Sequence, residues 1–115
     1  RKAADQGHAE PQHNLGGMYY NGHGVPKNYV EAVKWFRKAA EQGYAFAQLD
    51  LGLMYGRGYG VAQDDVQAYK WLNLAAAQGN EQAKKNRTII AKKMTKEQIA
   101  EAQKLSSKFK PSRKR

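Results

Sequence analysis

The chain contains one glycine-rich stretch that could hold a phosphate, residues 56–61, GRGYGV. Backbone amides of such loops cradle phosphates, and Arg57 could add a positive charge. A loop of this kind follows a β-strand and occurs once. Here the stretch follows a helical pattern and has a counterpart at Gly22 and Gly24. This repetition favours a structural turn, in which glycine supplies a positive φ without steric cost.

Two further patterns resemble parts of a catalytic site and of a metal site, but each lacks the residues that would complete it. Ser107 and Lys110 fit S-x-x-K, the nucleophile pattern of penicillin-binding enzymes, but the companion patterns S-D-N and K-T-G are absent. His8 and His13 are five residues apart, which places them on different helix faces, and no cysteine completes a zinc site. The sequence therefore predicts a non-catalytic protein with no metal, cofactor or small-molecule substrate. An enzyme of the S-x-x-K type ranks last among the alternatives.

The net charge of +10 is concentrated at one end of the chain. Residues 1–83 hold eight basic and eight acidic residues, whereas residues 84–115 hold twelve basic residues and two acids. This segment could contact nucleic acid or an anionic membrane surface. Its only aromatic residue is Phe109, so a solvated face is the preferred interpretation. The candidate anionic-surface residues are Lys104, Lys108, Lys110, Arg113, Lys114 and Arg115.

An internal repeat of 36 residues organises a chain that is long enough for one domain. Between residues 3–38 and 39–74, seventeen of 36 positions are identical. The motif A-A-x-Q-G occurs three times, and L-G-x-M-Y, G-x-G-V and A-x-x-W occur twice each at the same spacing. Trp35 and Trp71 occupy equivalent repeat positions, which favours packing in the core over stacking on a ligand.

Each repeat has the pattern of two helices joined by a glycine turn. In the second repeat, the spacing predicts helices over about 44–57 and 64–78. Asp64 with Gln67, and Asn28 with Glu31, have the pattern of capping boxes. The predicted buried side of the second helix consists of Val66, Ala68, Trp71, Leu74 and Ala75. Gly43 and Gly79 are the predicted left-handed residues that end the helices.

These motifs, A-x-x-Q-x-x-L-G-x-M-Y-x-x-G-x-G-V followed by A-x-x-W and A-A-x-Q-G, resemble the Sel-like repeat of the tetratricopeptide superfamily. The second unit matches throughout, and the first departs at Pro11, which is expected to move a helix boundary. The resemblance implies a right-handed α-solenoid of antiparallel helix pairs that binds proteins or peptides and acts as a scaffold. Many bacterial members are exported, so a periplasmic or secreted location is favoured over a cytoplasmic one.

The expected organisation is the end of a preceding repeat (1–7), two repeats (8–43 and 44–79), two capping helices (80–110) and a basic tail (111–115). After Gly79 the repeat pattern decays, and Arg87-Thr88 replaces the Leu-Gly pair. Helices are predicted over about 80–93, with Asn80 as its N-cap, and over 95–109, where Thr95 and Gln98 form a capping box. A solenoid needs such an atypical terminal unit to cover its last apolar face. The tail from Lys110 onward is predicted to be disordered.

The resemblance also places a partner-binding groove on the first helix of each repeat. Phe46, Leu49 and Leu53 lie three and four residues apart and are expected to form one exposed apolar stripe. Flanked by Arg57 and Lys85, this stripe would suit a peptide with apolar anchors and an acidic group. The alternative is that Phe46 and Leu53 pack on helix 80–93. The candidate groove residues are Glu10, His13, Tyr20, Asn21, Phe46, Leu49, Leu53, Arg57 and Lys85, with Gly17, Gly56, Ile89 and Lys92 at further groove positions.

Overall fold

The computed structural model describes Ala4 and residues 7–112, and regular structure within these residues is helical. Six helices are resolved there: α1 (Ala9–Asn21), α2 (Tyr29–Glu41), α3 (Ala45–Arg57), α4 (Asp65–Ala77), α5 (Glu81–Ala91) and α6 (Lys96–Ser107). Successive helices from α1 to α5 pack on one another, and α6 packs on α4. The predicted all-α solenoid is confirmed.

Side-chain caps fix where four of the helices begin. Asn28, Asp64, Asn80 and Thr95 each accept a hydrogen bond from the backbone N–H three residues later. The backbone N–H of Thr95 in turn donates a hydrogen bond to Gln98 Oε1, which completes a capping box. Of the three boxes that the sequence predicts, those at Asn28 and Asp64 show the cap bond without this reciprocal bond.

The glycine-rich stretch that resembles a phosphate loop is the turn between α3 and α4. Gly58 ends α3 with φ of 71°, and Gly60 has φ of 74°. A Cβ at Gly60 would collide with the carbonyl oxygen of Tyr29 on the neighbouring unit. The stretch therefore needs glycine for chain reversal and close approach, as the repetition in the sequence predicts.

The glycine of the Leu-Gly motif lets the two helices of a unit approach closely. In the first unit, a Cβ at Gly16 would lie 2.6 Å from Cδ1 of Phe36 and 3.2 Å from the Ala32 carbonyl oxygen. In the second unit, a Cβ at Gly52 would lie 2.9 Å from Cγ of Leu72. Real Cβ atoms essentially never come closer than 3.0 Å to another heavy atom in this way, so glycine at this register position allows the close approach of the helices.

Adjacent glycines of α1 provide a matched test of this packing. Gly16→Ala is expected to lower the free energy of unfolding by about 1–3 kcal/mol, because the methyl group would overpack the core against Phe36. Gly17→Ala is expected to raise it by up to about 1 kcal/mol, since alanine favours helix and a Cβ at Gly17 meets nothing within 4 Å. Urea denaturation followed by circular dichroism measures both changes. Equal effects of the two substitutions would contradict the close approach.

Contrary to expectation, Pro11 does not move the boundary of its helix relative to the equivalent helix in the second unit. α1 begins at Ala9 and ends at Asn21, and α3 begins and ends at the equivalent positions, Ala45 and Arg57. Pro11 lies in the first turn of α1, where its missing N–H would have no partner within the helix. The helix accommodates it without a shift.

The buried side of α4 is wider than the sequence predicts. Ala68, Trp71 and Ala75 are buried as expected, but Tyr69 and Leu72 are buried as well. The predicted core residues Val66 and Leu74 are only partly buried. α4 is covered by α3, α5 and α6, so one stripe of apolar residues does not describe its contacts.

The two C-terminal helices both pack on α4 rather than mainly on each other. On α6, Ala102 is fully buried, Gln103 Nε2 donates to the Tyr69 hydroxyl over 3.4 Å, and Ser106 Oγ donates to the Lys70 carbonyl over 3.3 Å. α6 therefore covers the second helix of the preceding unit, whereas α5 continues the stack of first helices.

A short segment after α6, residues 109–112, is named here the C-terminal strap. The Phe109 ring meets the Trp71 ring edge-on, with centroids 5.6 Å apart. Ser112 N–H donates to the Glu41 carbonyl over 2.7 Å. Pro111 lies beside Gly43. The structure thus holds residues 110–112 on the end of α2, where the sequence predicts a disordered tail.

Candidate partner-binding groove

A cavity of about 260 Å³ lies between the first helices of the two repeats, α1 and α3. Phe36 of α2 also contributes to its wall. This first cavity is lined by Gly17, Tyr20, Asn21, Phe36, Asp50, Leu53 and Met54. It lies on the helices that the sequence assigns to the groove.

A second cavity, of about 160 Å³, lies between α3 and α5. For every residue that lines the first cavity, the residue 36 positions later in the sequence lines the second cavity. These residues are Leu53, Gly56, Arg57, Leu72, Asn86, Ile89 and Ile90, and Gly52 and Lys93 complete the wall. The groove is therefore a repeated pocket, and α5 keeps the repeat register although its Leu-Gly pair is lost.

Several sequence-predicted groove residues come together in these cavities. Tyr20 and Asn21 line the first, Arg57 lines the second, and Leu53 lies in both. Asp50 and Asn86 occupy the same register position in successive cavities and are not among the predicted groove residues. The signal was available, because residues 14, 50 and 86 are all short polar residues at the 36-residue spacing.

Other predicted groove residues lie elsewhere. Glu10 and Lys85 are exposed and line neither cavity. Phe46 is 57% exposed, with its ring 5.8 Å from Tyr44 and 6.5 Å from His13. Leu49 packs against the core cluster formed by α4, α5 and α6.

The three apolar residues of α3 therefore do not form one exposed stripe. The alternative prediction is that Phe46 and Leu53 pack on helix 80–93. Leu53 does so, because it is half-buried against a cluster that contains Ile90 of α5. Phe46 does not, because it is turned toward α1.

A hydrogen bond between the two repeats borders the first cavity. His13 Nε2 and Asp50 Oδ2 are 2.7 Å apart. The His13 ring lies 5.5 Å from the rings of both Phe36 and Tyr44. The contact joins α1 to α3 and places a carboxylate in the wall of the first cavity.

The second cavity carries positive charge at its edge. The guanidinium of Arg57 lies 5.9 Å from the centre of the Tyr59 ring, and its Nη1 is 3.5 Å from the Tyr20 hydroxyl. Lys93 Nζ is 3.9 Å from Asp65 Oδ1, and 60% of the Lys93 side chain is exposed. The lining contains no carboxylate.

The basic C-terminal segment offers a second surface. Lys104, Lys108 and Lys110 are exposed, and within residues 7–112 none of them forms an ion pair. The other three candidates, Arg113, Lys114 and Arg115, lie outside the described residues. Nearby, burial lowers the pKa of Lys70, the charge of Arg37 lowers it further, and Glu41 partly offsets both.

The catalytic and metal alternatives gain no geometric support. Ser107 Oγ donates to the Lys104 carbonyl of its own helix over 2.8 Å. In the described part of the chain, no three His, Cys, Asp or Glu side chains are grouped as metal ligands would be. None of the helices described is both long enough and apolar enough to span a membrane.

Comparisons with known proteins agree with this repeat geometry. The family model for the Sel1 repeat matches residues 1–8, 11–44 and 45–80. A solved structure of a protective antigen from uropathogenic Escherichia coli, which displays an SLR fold, is 42% identical with a TM-score of 0.91. That similarity covers 95% of this chain and 24% of the antigen.

A Sel1 repeat protein from Oxalobacter formigenes is 45% identical with a TM-score of 0.74, over 75% of this chain and 65% of that one. This chain thus spans about a quarter of one relative and less than two thirds of the other. A comparison with curated proteins finds no match. The family matches, which cover most of the chain, and the shared fold together show that the chain belongs to the Sel1 repeat family.

Proposed function

We propose that this chain is a non-catalytic scaffold module that binds a peptide segment of a partner protein along α1, α3 and α5. Sel1 repeats are generally modules for protein–protein interaction, on a fold that is generally not enzymatic. The observation that supports the proposal is the pair of cavities built from seven equivalent register positions. A row of similar cavities suits successive side chains of one bound segment.

The size of the cavities favours a peptide over a metabolite. Pockets for small molecules usually enclose about 300–1,000 Å³. The two cavities here enclose about 260 and 160 Å³. Each therefore has room for one large side chain, and because the helices already hold the walls in place, binding requires little ordering of the scaffold.

Filling each cavity from a glycine tests the proposal without removing core residues. Gly17→Leu introduces the residue that stands at the equivalent position, Leu53, and Gly56→Tyr introduces the equivalent of Tyr20. A Cβ at Gly17 meets nothing within 4 Å, and a Cβ at Gly56 meets Ile90 Cδ1 at 3.6 Å, so both variants are expected to fold. Peptides selected from a random 12-residue display library on the wild type are expected to bind the filled variants at least about tenfold more weakly.

The control is Ala100→Leu, which adds an apolar side chain on α6, a helix that lines neither cavity. Fluorescence anisotropy gives the affinities, and circular dichroism checks the helix content of every variant. Peptide binding that survives both filled variants would contradict the groove. Binding only to nucleic acid or anionic vesicles, lost at high salt and on changing the exposed Lys104, Lys108 and Lys110 to Gln, would transfer the function to the basic C-terminal segment.

A further inference from the structure

The two cavities share register positions but differ in chemistry. At one position the first cavity has Asp50 and the second has Asn86. At another, the first has Asn21 and the second has Arg57. Lys93 adds a second cation to the wall of the second cavity. The lining therefore changes from one carboxylate in the first cavity to two cations in the second, although Arg57 also reaches the Tyr20 hydroxyl at the edge of the first.

The walls of the second cavity are mostly aliphatic. Leu53, Leu72, Ile89 and Ile90 surround it, and Ile89 is 63% exposed. The place of Tyr20 in the first cavity is taken here by Gly56, so no side chain from this position fills the space. A large aliphatic side chain entering from solvent would bury its own surface together with that of Ile89.

Arg57 and Lys93 are available to a ligand at the edge of these walls. Arg57 is exposed and forms no ion pair within the described residues. The Lys93–Asp65 pair is long, at 3.9 Å, and its lysine side chain is mostly exposed, so the pair is weak. A carboxylate beside the bound aliphatic group could therefore pair with Arg57 and recruit Lys93.

We infer that the second cavity selects a large aliphatic side chain next to an aspartate or glutamate, and that this preference orients the bound segment. An acidic residue in the first cavity would meet the Asp50 carboxylate, which already contacts His13 over 2.7 Å, and the lining holds no basic residue to pair with it. The acidic end of the segment therefore lies over α3 and α5, and the other end lies over α1. The inference rests on the proposed function, because it concerns the peptide that the same groove binds.

Selection of random 12-residue peptides tests the preference directly. Peptides enriched on the wild type are expected to carry Leu, Ile or Met adjacent to Asp or Glu. The enrichment of this pair is expected to persist on Gly17→Leu and to disappear on Gly56→Tyr. Changing the acid of a selected peptide to Gln or Asn is expected to weaken binding to the wild type about tenfold, because a charged contact is lost.

Giving the second cavity the polar residues of the first separates the effect of charge on peptide selection from the effect of cavity shape. The variant Arg57→Asn/Asn86→Asp gives the second cavity the polar residues of the first, each of which the repeat already accepts at that position. On this variant the acidic preference is expected to vanish while the aliphatic preference remains. Cavity-dependent peptides without acidic enrichment would overturn the inference and leave the proposed function standing. A selection that yields no cavity-dependent peptide would overturn both.

Discussion

Replacing Trp71 with alanine is expected to lower the free energy of unfolding by about 3–5 kcal/mol, the usual cost of removing a large buried aromatic side chain. Trp71 is 2% exposed and belongs to the core cluster that contains Leu51 and Met54. Phe109 of the C-terminal strap packs on its ring, so the substitution also removes one contact of the strap. Urea denaturation followed by circular dichroism measures the loss.

The register-equivalent substitution Trp35→Ala is the matched control. Trp35 is 8% exposed and belongs to a smaller cluster with Ala4 and Leu15. Because its side chain is more exposed and its cluster of buried residues is smaller, a smaller loss is expected. If Trp71→Ala left stability unchanged, the core assignment of this tryptophan would be wrong and stacking on a ligand would have to be reconsidered.

Gln48→Leu is expected to lower the free energy of unfolding by about 1–3 kcal/mol, although leucine is more hydrophobic. Gln48 is 1% exposed. Its Nε2 donates to the Ala40 carbonyl over 3.2 Å, and its Oε1 accepts from Gln78 Nε2 over 3.0 Å. Leucine would remove the bond to the carbonyl of Ala40, which is fully buried, whereas Gln78 is exposed and keeps its bond to the Gly43 carbonyl.

The control for Gln48→Leu is Gln82→Leu on the exposed face of α5, where a change within about 0.5 kcal/mol is expected. Gln12 makes the equivalent contacts in the first unit, to the Ala4 carbonyl over 3.3 Å and from Gln42 over 2.7 Å. Gln12→Leu should therefore destabilise in the same direction. Denaturation curves for Gln48→Leu and Gln82→Leu that superimpose would show that these buried bonds contribute nothing net.

The helical architecture could be predicted from the sequence because its main determinants are local and recur. Gly58 and Gly60 mark a turn, Asp64 starts α4, and each has a counterpart 36 residues earlier. The wide buried surface of α4 could not be predicted, because Tyr69 is covered partly by Gln103 of α6, a helix outside the repeat pattern. Contacts made by a helix outside the repeat pattern leave no periodic signal.

The groove was only partly predictable for a related reason. Spacing alone placed Phe46, Leu49 and Leu53 together, but Phe46 is turned toward His13 whereas Leu53 lies between the two cavities. The second cavity depends on α5 keeping the register, which Arg87-Thr88 at the Leu-Gly positions conceals. Lys93 stands 36 residues after Arg57, at the same register position, but it lies beyond the end of α5, so the helix pattern does not show that its side chain reaches the cavity.

The C-terminal strap has a consequence for how the chain folds. Helices of a solenoid mainly contact neighbours in sequence, which favours rapid folding from many starting points. The bond from Ser112 to Glu41 instead joins residues about 70 positions apart, and closing so long a loop carries an entropic cost before the contact forms. We therefore expect the strap to dock after the stacked helices have formed, as a late folding step that joins residues far apart in the sequence.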